Sequence, residues 1–309
     1  MKPLPPMRDP SRFSPVFVLA TARSYSSVVA TMIGQHPQCA SMPELKLFAY
    51  PTIGELEASL PRFWSDRGIT HRSPGLVRAV AQLKFNNQQA ESLASARTWL
   101  RDRSDWEGSQ VLDSLLEVLM PRTAVEKSPE NVATNDALNR LASAYPNARY
   151  VHLTRHPVTT QRSLEQHLDH MIPGYALPDQ PMSGIASWVE IQCRILRFTS
   201  TIPARSFIRL RAEDVLNDSR SQLCSVAKWL GIRADEDAIE SMMHPENSPF
   251  ARPGDIVTGI VGGHDPSFLR DPTPRRVPEP RTLLRPESWV NNTELWQMTV
   301  DIANRLGYS

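Results

Sequence analysis

Arg23-Ser24-Tyr25-Ser26-Ser27 puts one guanidinium and three serine hydroxyls within five residues. They follow the apolar run PVFVLA at 15–20 and precede VVATMIG at 28–34, whose apolar positions and terminal glycine suit a helix with a C-terminal stop. A loop between a buried strand and a helix N-terminus suits anion chemistry, because unpaired N–H groups point outward and the helix dipole adds partial positive charge. Arg23 could fork onto phosphate or sulfate oxygens, and Ser24, Ser26 and Ser27 could supply hydroxyl hydrogen bonds. A plainer reading is a serine-rich helix cap beside a solvated arginine. The loop holds no glycine and no lysine, so it is not the G-x-x-x-x-G-K-[ST] phosphate loop of ATP and GTP enzymes.

A second constellation is Arg155-His156-Pro157, which ends a strand-like run, with Ser163 eight residues after Arg155. Placed at the C-terminal edge of a strand and on the next helix, that pair would meet where ligands of open α/β sheets gather. Taken singly, Arg155 could equally be a sheet-edge arginine in a surface ion pair, and Ser163 an ordinary helix residue. Lys127, in Glu126-Lys127-Ser128-Pro129, follows the short apolar stretch Ala124-Val125 and could pair with Glu126 or Glu130 at the surface. Glu44, in Met42-Pro43-Glu44-Leu45-Lys46-Leu47-Phe48, could act as a proton acceptor if burial raised its pKa. The bland alternative is an acid at a helix N-terminus behind Pro43. His167 and His170, three residues apart on one helix face, are reserve bases, though histidines there are more often structural or acceptor-contacting.

Those residues need elements to hold them. The run 15–20 reads as a strand buried on both faces. Residues 135–145 (NDALNRLASAY) read as an amphipathic helix broken at Pro146, 148–154 as a strand and 158–171 as a helix. A third pair is the strand 206–210 and the helix 219–230, closed by Gly231. Repeated strand–helix alternation predicts an α/β fold with a mainly parallel sheet. Residues 54–120 show helical patterns at 76–83 and 110–119 and little strand character, which predicts a helical cap inserted over the sheet. The Pro/Gly-rich stretch 245–286 is expected to be irregular, and the tail to end in a helix capped by Asn292 or Thr293. The expectation is one domain across 1–309.

Composition narrows the partners. Hydrophobic residues at 40% and charged residues at 22% are ordinary globular values, which argues against wholesale disorder. Lys and Arg number 34 against 33 Asp and Glu, a net charge of +1, so no electrostatic footprint for nucleic acid or an anionic membrane exists. Cys39, Cys193 and Cys224 are far apart and odd in number, which reads as reduced thiols rather than a disulfide framework or metal site. The opening MKPLPPMRDPSRFSP is unlike a secretory signal, and no apolar run approaches the ~18 residues of a membrane span. The expectation is a cytoplasmic protein.

On these residues the chain resembles the sulfotransferases that use 3′-phosphoadenosine-5′-phosphosulfate (PAPS). Arg23-Ser24-Tyr25-Ser26-Ser27 is similar to the family's 5′-phosphosulfate loop, a basic residue followed by Ser-Gly-Thr-Thr or a close variant. Tyr25 stands where the family usually has glycine, which lets the backbone approach phosphate closely. Arg155 and Ser163 match the family's 3′-phosphate anchor, and Gly262-Gly263-His264-Asp265-Pro266-Ser267-Phe268 is similar to the glycine-rich loop that closes over that phosphate. Arg211-Ala212-Glu213-Asp214-Val215-Leu216 looks like an architectural family segment. The likeness covers roughly 15–50, 125–170, 205–232 and 258–270, and in style it is nearest to bacterial sulfotransferases and the sulfotransferase domains of polyketide synthases.

The resemblance implies a P-loop-like parallel sheet flanked by helices. It implies transfer of a sulfuryl group to a hydroxyl or amine of a small or medium acceptor, with 3′-phosphoadenosine-5′-phosphate (PAP) released and no metal required. Arg23 and Lys127 would stabilise charge, and Glu44 would be the base; the histidine that some members carry two residues after the lysine is Pro129 here. The acceptor is expected to be a non-polymer, such as a natural-product intermediate. Its pocket would be built from 54–120, 171–200 and 245–285, with Trp64, Phe85, Trp99, Trp106 and Trp188 as candidate walls. Two rivals stay open: a nucleotide-dependent small-molecule kinase, which would need Mg²⁺ and a P-loop lysine, and a binding relative without turnover, for which Tyr25 would be the sign. Oligomeric state, and whether O or N is sulfated, stay open as well.

Overall fold

The structure is a computed structural model describing residues 7–60, 71–171, 180–279 and 286–308; for 169–171 and 180–181 it describes the backbone alone. Trp64 and the side chain of His170 lie outside the described residues. In chain order the elements are β1 (Val16–Leu19), α1 (Ser26–Gly34), β2 (Cys39–Ser41), α2 (Ile53–Ala58), α3 (Pro74–Phe85), α4 (Ala90–Arg101), α5 (Gly108–Leu119) and β3 (Thr123–Glu126). They continue as α6 (Asn135–Ala144), β4 (Arg149–Thr154), α7 (Pro157–Met171), α8 (Gln180–Thr201), β5 (Phe207–Arg211), α9 (Ala212–Asn217), α10 (Ser219–Leu230), α11 (Glu236–Met242), α12 (Pro266–Arg270) and α13 (Thr293–Arg305).

The strands form one parallel sheet in the order β2-β3-β1-β4-β5. Its register pairs Val16 with Val125, Val18 with Val151 and Leu153 with Leu210. All residues of β1 are buried, as a strand covered on both faces requires. Successive side chains leave a strand on opposite faces. Phe17 and Leu19 therefore join the layer holding Phe48, Tyr145 and Tyr150, whereas Val16 and Val18 pack with Val29, Met32 and Ile33 of α1 and with Leu223 and Val226 of α10. A third apolar cluster ties α7, α8 and α13 together through Val158, Trp188 and Trp296. The expected α/β architecture with a parallel sheet is what the chain forms.

Some local expectations are corrected. Gly34 is not a helix stop in left-handed backbone; α1 is capped by Gln35 in right-handed backbone, and a Cβ on Gly34 would lie 2.3 Å from Ser41 Cβ. It is a close-packing glycine between α1 and β2. Gly231, by contrast, does close α10 in the left-handed region, with φ 73°. Asn292, rather than Thr293, caps α13, its Oδ1 accepting from Leu295 N–H at 2.9 Å. Of the aromatic residues expected to wall an acceptor pocket, Trp106 and Trp188 are core, and Phe85 and Trp99 pack against the core. Trp99 sits edge-on to Trp106 with the Arg103 guanidinium 4.0 Å above its ring, so this end of the helical region holds itself together. The three cysteines are free thiols, and no helix among the described residues is long and apolar enough to cross a membrane.

Candidate functional site

β1 lies between β3 and β4, so the chain leaves it toward one flank for β2 and β3 and later crosses to the other flank for β4 and β5. A crevice at such a switch point, outside the carboxyl ends of the strands, is where open α/β sheets bind ligands. Arg23 follows β1, Glu44 follows β2, Lys127 is the residue after β3 and Arg155 the residue after β4. All four line one cleft of about 1110 Å³, together with Ser24, Tyr25, Ser26, Ser27 and Ser163.

The loop after β1 takes an uncommon shape. Arg23 (φ 65°) and Tyr25 (φ 57°) both adopt left-handed backbone, which costs a non-glycine residue roughly 1–2 kcal/mol. Tyr25 is the N-cap of α1 and makes no side-chain cap hydrogen bond, so its side chain leaves the first-turn N–H groups to other acceptors. Successive N–H groups in such a turn form a concave anion cradle. Ser24, fully buried, braces the loop through Thr21, their hydroxyl oxygens 2.5 Å apart. Ser27 Oγ accepts from Lys127 Nζ and from the Asp265 N–H, each at 3.0 Å.

Lys127, only 2% exposed, also pairs with the Glu44 carboxylate. Glu44 sits in irregular chain beyond β2 and not at a helix N-terminus. Its N–H donates to Gly263 O at 2.7 Å, and Ser73 Oγ donates to Glu44 O and Leu45 O at 3.3 and 2.8 Å. Beneath it, fully buried Glu126 accepts from Leu45 N–H at 3.3 Å, from Asn131 Nδ2 at 2.7 Å and from the Ser128 hydroxyl. Burial pushes the Glu126 carboxyl up to about 7, against the pull of those hydrogen bonds and of Lys127.

Arg155 is 9% exposed, and burial lowers its pKa from the ordinary arginine value. It donates from NH1 to Arg23 O at 2.6 Å and from Nε to Thr159 Oγ1 at 3.1 Å, and its guanidinium lies 4.1 Å from the Tyr25 ring centroid. Arg23 in turn donates from Nε to Ser163 Oγ at 3.2 Å and pairs with Asp265. Arg23, Arg155 and Ser163 therefore form one group, and Lys127, Ser27 and Glu44 a second, with Asp265 touching both through Arg23 and Ser27. Glu213 accepts from His156 N–H at 3.0 Å and from Tyr308 Oη at 2.9 Å, bracing the turn behind Arg155.

Gly262 and Gly263 are not on the cleft wall. A Cβ on Gly263, whose φ is 115°, would lie 2.8 Å from Gly75 Cα, so the pair of glycines lets two backbones touch behind Glu44. Arg78, almost fully buried, pins this loop by donating to Gly262 O at 2.9 Å and Arg252 O at 2.8 Å. His264 and Asp265, which the sequence places in the same glycine-rich segment without a role of their own, line the cleft instead. His264 is 5% exposed and neither ring nitrogen has a hydrogen-bond partner among the described residues. Burial first, then Lys127 and Arg78, hold its pKa well below the usual histidine range, so it is neutral. Its place beside two glycines in a loop was the available signal. His167 lines the cleft as well. Among the described residues no group of three His, Cys, Asp or Glu side chains could hold a metal.

The profile of the sulfotransferase family matches residues 15–236, about seven-tenths of the chain. No curated protein matches the sequence. Among solved structures, the chain is similar to the sulfotransferase domain from the curacin biosynthetic pathway, at 20% identity and TM-score 0.76 over 97% of this chain and 99% of that one. It is similar also to the sulfotransferase domain of the Synechococcus PCC 7002 olefin synthase, at 23% identity and TM-score 0.70 over 98% of each chain. At such identities the likeness is one of fold, and it agrees with the profile match across the strands that carry the cleft: the chain belongs to the sulfotransferase family.

Proposed function

We propose that the protein moves the sulfuryl group of PAPS to a hydroxyl or amine of a small or medium acceptor and releases PAP. The observation that carries this reading is the buried Lys127 held between Ser27 and Glu44, in the cleft that Arg23, Arg155 and Ser163 also line. The loop 23–27 would cradle the 5′-phosphosulfate, with His264 and Asp265 of the 262–265 turn beside it; Arg155 and Ser163 would hold the 3′-phosphate. In the transfer the acceptor oxygen or nitrogen forms a bond to sulfur as the bond from sulfur to the 5′-phosphate oxygen breaks. The electron pair of that bond stays on PAP, and the acceptor proton passes to Glu44. Lys127 and Arg23 offset the charge that builds on the bridging oxygen, so positioning and electrostatics suffice without a covalent intermediate or a metal. Neutral His264 offers a hydrogen bond to the sulfuryl oxygens.

The full-length likeness to sulfotransferase domains of the curacin pathway and an olefin synthase supports a natural-product intermediate as acceptor, and with it a cytoplasmic enzyme of secondary metabolism. Calorimetric titration with PAP, ADP and AMP, without added metal, tests the donor. PAP is expected to bind well above the other two, and Arg155→Ala to weaken PAP by roughly ten- to a hundredfold, as losing a charge-assisted contact does. Equal or tighter ADP binding, or a need for Mg²⁺, would overturn the donor assignment and reopen the kinase alternative.

A further inference from the structure

Arg155 is a buried guanidinium with no carboxylate within ion-pair distance among the described residues. Two of its five N–H groups go to Arg23 O and Thr159 Oγ1. What covers its flat face is the ring of Tyr25, with the guanidinium carbon 4.1 Å from the centroid. Tyr25 holds that ring from left-handed backbone, φ 57° and ψ 17°, a conformation that glycine adopts without steric penalty. Its side chain makes no cap hydrogen bond at the start of α1. The backbone of Tyr25 is strained and its side chain makes no cap, so what the tyrosine side chain contributes is the aromatic face it lays on Arg155.

We propose that Tyr25 is a positioning residue that sets the preference of the donor site for a 3′-phosphorylated nucleotide. The ring holds the Arg155 guanidinium in one plane by a cation–π contact. The N–H groups not taken by Arg23 and Thr159 are then fixed toward the cleft before the ligand arrives. A planar fork fixed in advance loses less freedom on binding a phosphate. The inference rests on the PAPS reading, and it explains why a tyrosine is tolerated where the resembling loops carry glycine.

The test is calorimetry of PAP and of AMP, which lacks the 3′-phosphate, on the full chain and its Tyr25→Gly and Tyr25→Phe variants, with thermal melting beside it. Tyr25→Gly is expected to bind PAP about tenfold more weakly, with AMP affinity changed less than twofold and the melting temperature not lowered, because backbone strain is relieved. Tyr25→Phe, which keeps the aromatic face, is expected to restore the preference. An unchanged ratio of PAP to AMP affinity in Tyr25→Gly overturns the inference while leaving the donor reading intact. Equal loss for both nucleotides overturns it too, since that marks a role in loop shape alone. A wild-type protein that does not distinguish PAP from AMP sinks the donor reading itself. Should Tyr25→Gly not fold, Tyr25→Leu carries the same comparison.

Discussion

Lys127 and Glu44 form an ion pair across the ends of two strands, with the lysine side chain 2% exposed and the glutamate 18%. Lys127 is anchored to β3 and to Ser27, whereas Glu44 rides on an irregular segment held by Gly263 and Ser73. In the proposed transfer, Glu44 takes the acceptor proton by turning part of its charge from the lysine to the acceptor. Glu44→Gln is therefore expected to lower kcat by about two to three orders of magnitude with PAP affinity within a few-fold of wild type. Lys127→Met should cost about as much, and the double variant little more than either single one, since residues acting as a unit are not additive. Steady-state kinetics with a PAP titration decide it; full additivity would show that the two act separately.

Gly75 is expected to be intolerant of even one methyl group. A Cβ there would meet Glu44 O at 2.3 Å and Gly263 Cα at 3.0 Å, both parts of backbone that cannot swing aside. Gly75→Ala should cost about 1–3 kcal/mol of stability and displace the Glu44 segment, lowering kcat at least tenfold while nucleotide affinity holds. Urea denaturation and turnover on the same preparation test this, and a variant with full turnover would show that Glu44 does not depend on that packing.

Two buried groups make stability depend on pH in opposite senses. The folded Glu126 carboxyl titrates at about 7 against an ordinary 4.5, so the folded chain keeps a proton that the unfolded chain releases, and stability falls as pH rises through that window. His152, fully buried and hydrogen-bonded to Gln192 at 2.8 Å, is pushed by burial to about 4 from 6.5. The unfolded chain takes a proton that folded His152 refuses, so stability falls as pH drops through that second window. Each effect is worth about 3 kcal/mol, and where the windows overlap they nearly cancel. Glu126→Gln should unmask the histidine, with stability rising by about 3 kcal/mol from pH 4 to 6.5. Denaturant midpoints across that range check it; slopes matching wild type would mean that Glu126 holds no such proton.

Local sequence specified the strands of the sheet centre, β1 and β4, because runs such as PVFVLA and ARYVHLT carry enough apolar residues to announce a two-sided strand. It determined the loop–helix order after each of them, and so the local setting of Arg23, Arg155 and Ser163. The strands β2 (Cys39–Ser41) and β3 (Thr123–Glu126) were not legible, since three or four residues show no periodicity and owe their state to the neighbours they pair with. The 22-residue α8 was missed too, being set by packing between α7 and α13 rather than by a sharp cap. Residue types at Glu44 and Lys127 suggested chemistry, yet only the parallel order β2-β3-β1 brings residues 83 apart in sequence into one ion pair. The same holds for His264 and Asp265, which reach the cleft because Gly75 and Gly263 let two backbones touch. Short-range pattern encodes which elements form; which side chains meet depends on contacts between distant segments, and those exist only once the sheet has ordered its strands.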